Sequence, residues 1–171
     1  NEGLIKRLWK EMLNVDVENA LDGEGPFSAE RSGGLPIGDV IRTCFSGEYT
    51  QKEVYSMVVG KGGMVAYTGV NDLRVLTEKA NEGDAKIQEL LDAYYFQIAK
   101  EIACKSIALH GQVDQIILTG GVAYGKEAVA AITDLVSWIA PVTVYPGEME
   151  MLALAQGVLR VMNGEEKALE Y

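Results

Sequence analysis

At 171 residues, with 15 basic and 25 acidic side chains for a net charge of −10, the chain has room for one domain and is too acidic to hold a nucleic-acid backbone. Hydrophobic residues at 48% and charged residues at 23% exclude a disordered tail. No apolar run reaches the roughly 18–20 residues that span a bilayer, so no membrane partner is expected. Cys44 and Cys104 lie far apart in sequence and point to reduced cytosolic thiols rather than to a disulfide framework or a zinc site. The chain opens at Asn1 rather than methionine and shows no signal-peptide pattern, which suggests a fragment or a processed product.

In chain order, Leu4, Ile5, Leu8, Trp9, Met12 and Leu13 recur at helical spacing and predict an amphipathic helix over Leu4–Leu13. Val15 and Val17 alternate with polar residues, which predicts a short strand over Asn14–Ala20. Leu21–Leu35 is rich in glycine and reads as a long loop of functional length. Pro36 opens a helix to about Phe45. Thr50-Gln51-Lys52-Glu53 is a capping box for a helix to about Val59. Gly60-Lys61-Gly62-Gly63 breaks the chain, and Met64–Val70 fits either strand or loop. Asn71 and Asp72 cap a helix to about Asn81, and Asp84 caps the longest one, which carries Tyr94, Tyr95, Phe96, Ile107 and Leu109 as core residues and ends at Gly111. Strand Val113–Thr119, helix Lys126–Ile139, strand Val142–Tyr145 and helix Met149–Met162 follow. That alternation predicts a parallel pair with a crossover, whose ligands sit at the carboxyl ends of the strands.

Four segments carry chemistry. In Ile117–Lys126 a hydrophobic strand runs into Gly120-Gly121 and then a helix, a place where backbone approaches a ligand closely and helix N–H groups face phosphate. The stretch nearly matches a P-loop through Gly120, Gly125 and Lys126, but Glu127 stands where that motif needs Ser or Thr. A plain strand-to-helix turn is the other reading. Arg31, in a glycine-rich loop, could clamp a carboxylate or phosphate, or simply pair with Glu30 or Asp39. Asp72 could accept from ribose or an amino group and Arg74 could stack on a base, or both could serve a helix cap. Glu148 and Glu150 could hold Mg²⁺ or merely favour a helix N-terminus. His110, the single histidine, reads as a cation at a helix end, and no hydrolytic triad is supported.

Together these residues resemble the acetate kinase family, within the sugar kinase and actin superfamily, and its butyrate kinase branch in particular. The likeness rests on Asn19–Phe27, Glu30–Pro36, Cys44–Thr50, Val59–Tyr67, Tyr95–Ile102, Ile116–Tyr124 and Ile139–Glu148. It implies reversible transfer of the terminal phosphoryl group of ATP to a short-chain, butyrate-like carboxylate, with ADP and Mg²⁺ as partners. By matched motif, Arg31 resembles the arginine that meets the carboxylate and the moving phosphoryl group. Gly120 and Gly121 resemble the glycines under the nucleotide. Asn71, Asp72 and Arg74 align with the segment near adenine and ribose, and Glu150 with a glutamate that positions Mg²⁺. Ala123, Tyr124 and Gly125 depart from the acetate kinase form of the motif, a departure shared by the butyrate branch.

The resemblance implies an α/β fold, the ribonuclease-H-like (actin-like ATPase) second domain of an acetate or butyrate kinase, with its leading strands missing or replaced. The expected division is a non-family helix over 1–13 and a partial C-terminal kinase domain over 14–171. Family members are considerably longer and have two such domains with the site between them, so this chain alone is expected to be inactive. A cytoplasmic homodimer is implied, with the Leu4–Leu13 helix covering the open sheet edge. A module that only binds nucleotide, a dimerisation unit and a P-loop ATPase are the rival readings.

Overall fold

The computed structural model describes residues 16–147 and 150–167. The expected Leu4–Leu13 helix lies outside them. Residues 16–19 form no strand, and Ala20–Asp22 is a single 3₁₀ turn, so the strand expected there is not found among the described residues. The alternation of Val15 and Val17 misled because Val17 is exposed and has no sheet face to join.

Seven α-helices follow in the described residues: α1 (Ile37–Cys44), α2 (Gln51–Val58), α3 (Gly63–Thr68), α4 (Leu73–Asn81), α5 (Ala85–Lys105), α6 (Lys126–Val136) and α7 (Glu150–Met162). Their starts follow side-chain chemistry. The Thr50 hydroxyl accepts from Glu53 N at 3.3 Å while the Glu53 carboxylate accepts from Thr50 N at 2.7 Å, so α2 opens on a complete capping box. Asp84 accepts from Lys86 N and Ile87 N, both at 3.1 Å, and starts α5.

Met64–Val70 holds a short helix rather than a strand or plain loop. The α3 turn forms because Met64 N and Val65 N bond to the carbonyls of Ser28 and Ala29 at 3.0 Å, which fixes its first turn from outside. The long helix ends earlier than expected. After Lys105 the chain tightens into a 3₁₀ turn over Ser106–Leu109, closed by His110 in the left-handed region at φ 53°. Ile107 and Leu109 are consequently exposed. Phe96 is exposed as well, against expectation, because at about 100° per residue it leaves the face that buries Tyr95.

Strands β1 (Ile116–Gly120) and β2 (Val142–Pro146) pair in parallel, with Ile116 opposite Val142 and Gly120 opposite Pro146. Helix α6 is the crossover between them. The core is organised by α5, whose Ile87, Leu91, Tyr94, Tyr95 and Ala99 are buried against Leu76 of α4, Ile116 of β1 and Ile132 and Val136 of α6. Burial pushes the Tyr94 hydroxyl up to about 12, so it stays protonated. No helix among the described residues is long and apolar enough to cross a membrane.

Candidate functional site

The Arg31 loop is held largely by backbone hydrogen bonds. Phe27 anchors its start: the ring is buried, meets Tyr94 edge-on at 5.5 Å, and its amide donates to Gln97 Oε1 at 3.2 Å. Arg31 then forms an antiparallel bridge with Val59. Ser32 N bonds Val58 O at 2.9 Å, and Glu30 O accepts from Gly60 N and Gly62 N at 2.8 and 3.2 Å. This close mesh requires glycine. A Cβ on Gly63, which sits at φ +60°, would lie 2.0 Å from Ser28 O, and one on Gly62 would lie 2.6 Å from Ser32 N.

The simple ion-pair reading of Arg31 is overturned. Glu30 accepts instead from Asn71 Nδ2 at 2.6 Å, and Asp39 pairs with Arg42. Among the described residues the half-buried Arg31 has no salt-bridge partner. A half-buried guanidinium without an internal anion is suited to an external one.

The Glu30–Asn71 bond brings the second segment alongside. Asp72 caps α4 as the sequence predicts, accepting from Arg74 N at 2.9 Å. It also holds the Arg74 guanidinium, through Nε at 3.0 Å and a terminal nitrogen at 2.7 Å. Those bonds lower the Asp72 carboxyl to about 2. Its oxygens are thus already engaged, whereas the Arg74 side chain is 87% exposed.

The third segment forms at the carboxyl ends of the strands. Gly120 N bonds Gly147 O at 3.2 Å and Gly147 N bonds Gly120 O at 3.1 Å, so the two strand ends close on each other. The chain turns at Gly120, φ +82°, and runs through a 3₁₀ turn over Gly121–Tyr124 into α6. A Cβ on Gly121 would meet nothing within 4 Å. The N-cap of α6 is Gly125, which supplies no side-chain cap, so the first N–H groups keep their capacity for an anion. Glu150 opens α7, as expected, but its side chain lies outside the described residues, as do Glu148 and Met149. No cluster of three or more potential metal ligands occurs among the described residues.

The Glu30–Asn71 bond therefore joins the Arg31 loop to the segment carrying Asp72 and Arg74, and Gly120 with Gly121 lies beside Gly147. One face of helix α5 packs against α4 and α6. Sequence reasoning missed Glu30 as the link and Gly147 as the partner of Gly120. The Tyr145-Pro146-Gly147 turn was the available signal for the latter.

The sequence profile described as the Acetokinase family matches residues 24–155. A probable butyrate kinase of Clostridium botulinum is 55% identical over 157 residues, which is 92% of this chain and 44% of that protein. Butyrate kinase 1 of Clostridium acetobutylicum is 55% identical over the same 157-residue length, with the same two shares. The chain thus spans less than half the length of these curated relatives. Among solved structures, the acetate kinase of Entamoeba histolytica superposes with a TM-score of 0.68 at 17% identity, covering 79% of this chain and 43% of that one. The acetate kinase of Porphyromonas gingivalis gives 0.64 at 18% identity, with 80% and 41% covered. These structural likenesses establish the fold, the actin-like α/β class expected above.

Proposed function

The chain belongs to the acetokinase family, and on that premise we propose that it is the nucleotide-binding part of a kinase that transfers phosphoryl groups between ATP and a short-chain, butyrate-like carboxylate. The observation that carries this reading is the closure of both strand ends on the Gly120–Gly147 pair, beneath a glycine turn that no side chain fills.

An adenine nucleotide suits the residues present. The open backbone at Gly121 admits its sugar and base, and the uncapped start of α6 faces phosphate. Asn71 and Arg74 border the base and ribose. Arg74 lends a stacking face, while Asp72 orients Arg74 and caps α4. Arg31 binds the carboxylate and the oxygens that gain charge as the phosphoryl group moves. Mg²⁺, when bound, would neutralise phosphate charge. By the matched motif, Glu150 would meet it together with nucleotide oxygens and water. In this reading residues 14–171 make up a partial C-terminal domain of a cytoplasmic homodimer.

Catalytic groups of one site act as a unit, and the relatives have more than twice the aligned length, so this chain binds nucleotide without turnover. Calorimetry with ADP–Mg²⁺ should give saturable heat, and butyrate binding should vanish in Arg31→Ala. No heat up to millimolar ADP would overturn the proposal. Butyryl phosphate formation by this chain alone, abolished by Arg31→Ala, would overturn its incompleteness.

A further inference from the structure

Tyr124 ends the 3₁₀ turn that follows β1, and its side chain is 70% exposed. The hydroxyl end of the ring lies close to Gly147. A Cβ placed on Gly147 would lie 2.5 Å from the Tyr124 hydroxyl oxygen, 3.3 Å from Cζ and 3.6 Å from Cε2. The hydroxyl edge therefore rests on the backbone of the turn after β2, while most of the ring stays open to solvent. Glycine is favoured at 147 by its φ of +100°, and its lack of a Cβ leaves room for the phenol. The same glycine exchanges both of its backbone hydrogen bonds with Gly120. Ring, Gly147 and Gly120 thus adjoin at one corner beside the open space at Gly121.

We infer that Tyr124 is the platform on which the base of the nucleotide stacks, a specificity-determining residue of the site; this rests on the nucleotide-binding reading above. A flat, uncharged π-face offers nothing to phosphate, whose oxygens are met by the N–H groups at the start of α6, but it matches the face of a purine.

The test is calorimetric titration of the 171-residue chain and its variants with ADP–Mg²⁺ and, separately, with inorganic tripolyphosphate, which has phosphates and no base. Tyr124→Ala should weaken ADP binding about tenfold and leave tripolyphosphate unchanged. Tyr124→Phe should stay within about threefold of the parent chain, since the stacking face remains. Gly147→Ala, which displaces the ring without removing it, should also weaken ADP, with folding checked by circular dichroism. Unchanged ADP affinity in Tyr124→Ala, when the parent chain binds ADP, overturns the inference and leaves the nucleotide reading standing. Equal weakening of both ligands also overturns it, since the ring would then act on phosphate or on the turn. A parent chain that binds neither ligand overturns the nucleotide reading and the inference with it.

Discussion

The Asn71 side-chain amide donates a 2.6 Å hydrogen bond to the Glu30 carboxylate across 41 residues of sequence, tying the Arg31 loop to the start of α4. Both side chains reach solvent, so the bond is worth about 1 kcal/mol rather than the larger value of a buried one. Its effect is on position, because it keeps Glu30 away from the neighbouring Arg31. Asn71→Ala should cost about 1 kcal/mol in urea denaturation. Glu30→Ala should cost a similar amount, and the double variant should cost clearly less than the two losses together. Full additivity would mean that the bond contributes nothing.

Glycine substitutions separate backbone strain from crowding. Gly63 and Gly69 both sit at positive φ, +60° and +71°. A Cβ on Gly69 enters open space, whereas one on Gly63 collides with the carbonyl oxygens of Ser28 and Arg31, at 2.0 and 2.7 Å. Gly69→Ala should therefore cost about 1 kcal/mol, from conformation alone. Gly63→Ala must also push α3 off the Arg31 loop and should cost more than 3 kcal/mol, among the largest single-residue effects. Equal losses on thermal unfolding would contradict the close packing of these two segments.

The parts of the fold that local chemistry decides were legible in the sequence. The Thr50–Glu53 capping box, the Asp84 cap and the β1–α6–β2 order all rest on neighbouring residues. The α3 helix was not legible, because its first amides are bonded to Ser28 and Ala29, far back in the chain. The site divides in the same way. Gly120 and Gly121 announce a turn by themselves, but that Gly147 closes on Gly120 depends on the parallel register of two strands. The partners of Arg31 were misjudged for a related reason: Glu30 lies next to it in sequence, yet Asn71 captures that carboxylate through the tertiary fold.

The Asp72–Arg74 pair sets an acid limb for the first turn of α4. Asp72 is lowered to about 2 from a usual 3.8, first by the Arg74 side chain and then by its backbone N–H. A folded value below the unfolded one means that the contribution is present above about pH 4 and is lost as pH falls towards 2. Arg74→Ala should move Asp72 back towards its usual range, though not all the way, since the backbone bond remains. Carboxyl-carbon NMR titration of the two proteins reads this directly. An unmoved Asp72 titration would show that the guanidinium is not what holds it down.

Lys105 has a reversed effect on pH dependence at the far end of α5. It pairs with Asp16 at 3.0 Å and reaches Glu18 at 3.6 Å, where Glu18 and Glu101 also face each other. Partial burial, and then the Glu101 carboxylate, raise Glu18 above its usual value, while Lys105 opposes the rise. Because the folded value exceeds the unfolded one, the folded state binds this proton more readily. The Glu18 contribution is therefore favourable in acid and is lost as pH rises through the raised value. Lys105→Met keeps the aliphatic stem over the groove of Ile98, Ile102 and Val113 but removes the charge. Asp16, Glu18 and Glu101 then repel without compensation. The variant should melt below the parent chain at pH 7 and recover part of the difference near pH 4.5, where Glu18, raised above its usual 4.5, takes up its proton. A deficit that is the same at both pH values would assign the loss to packing of the stem and not to charge.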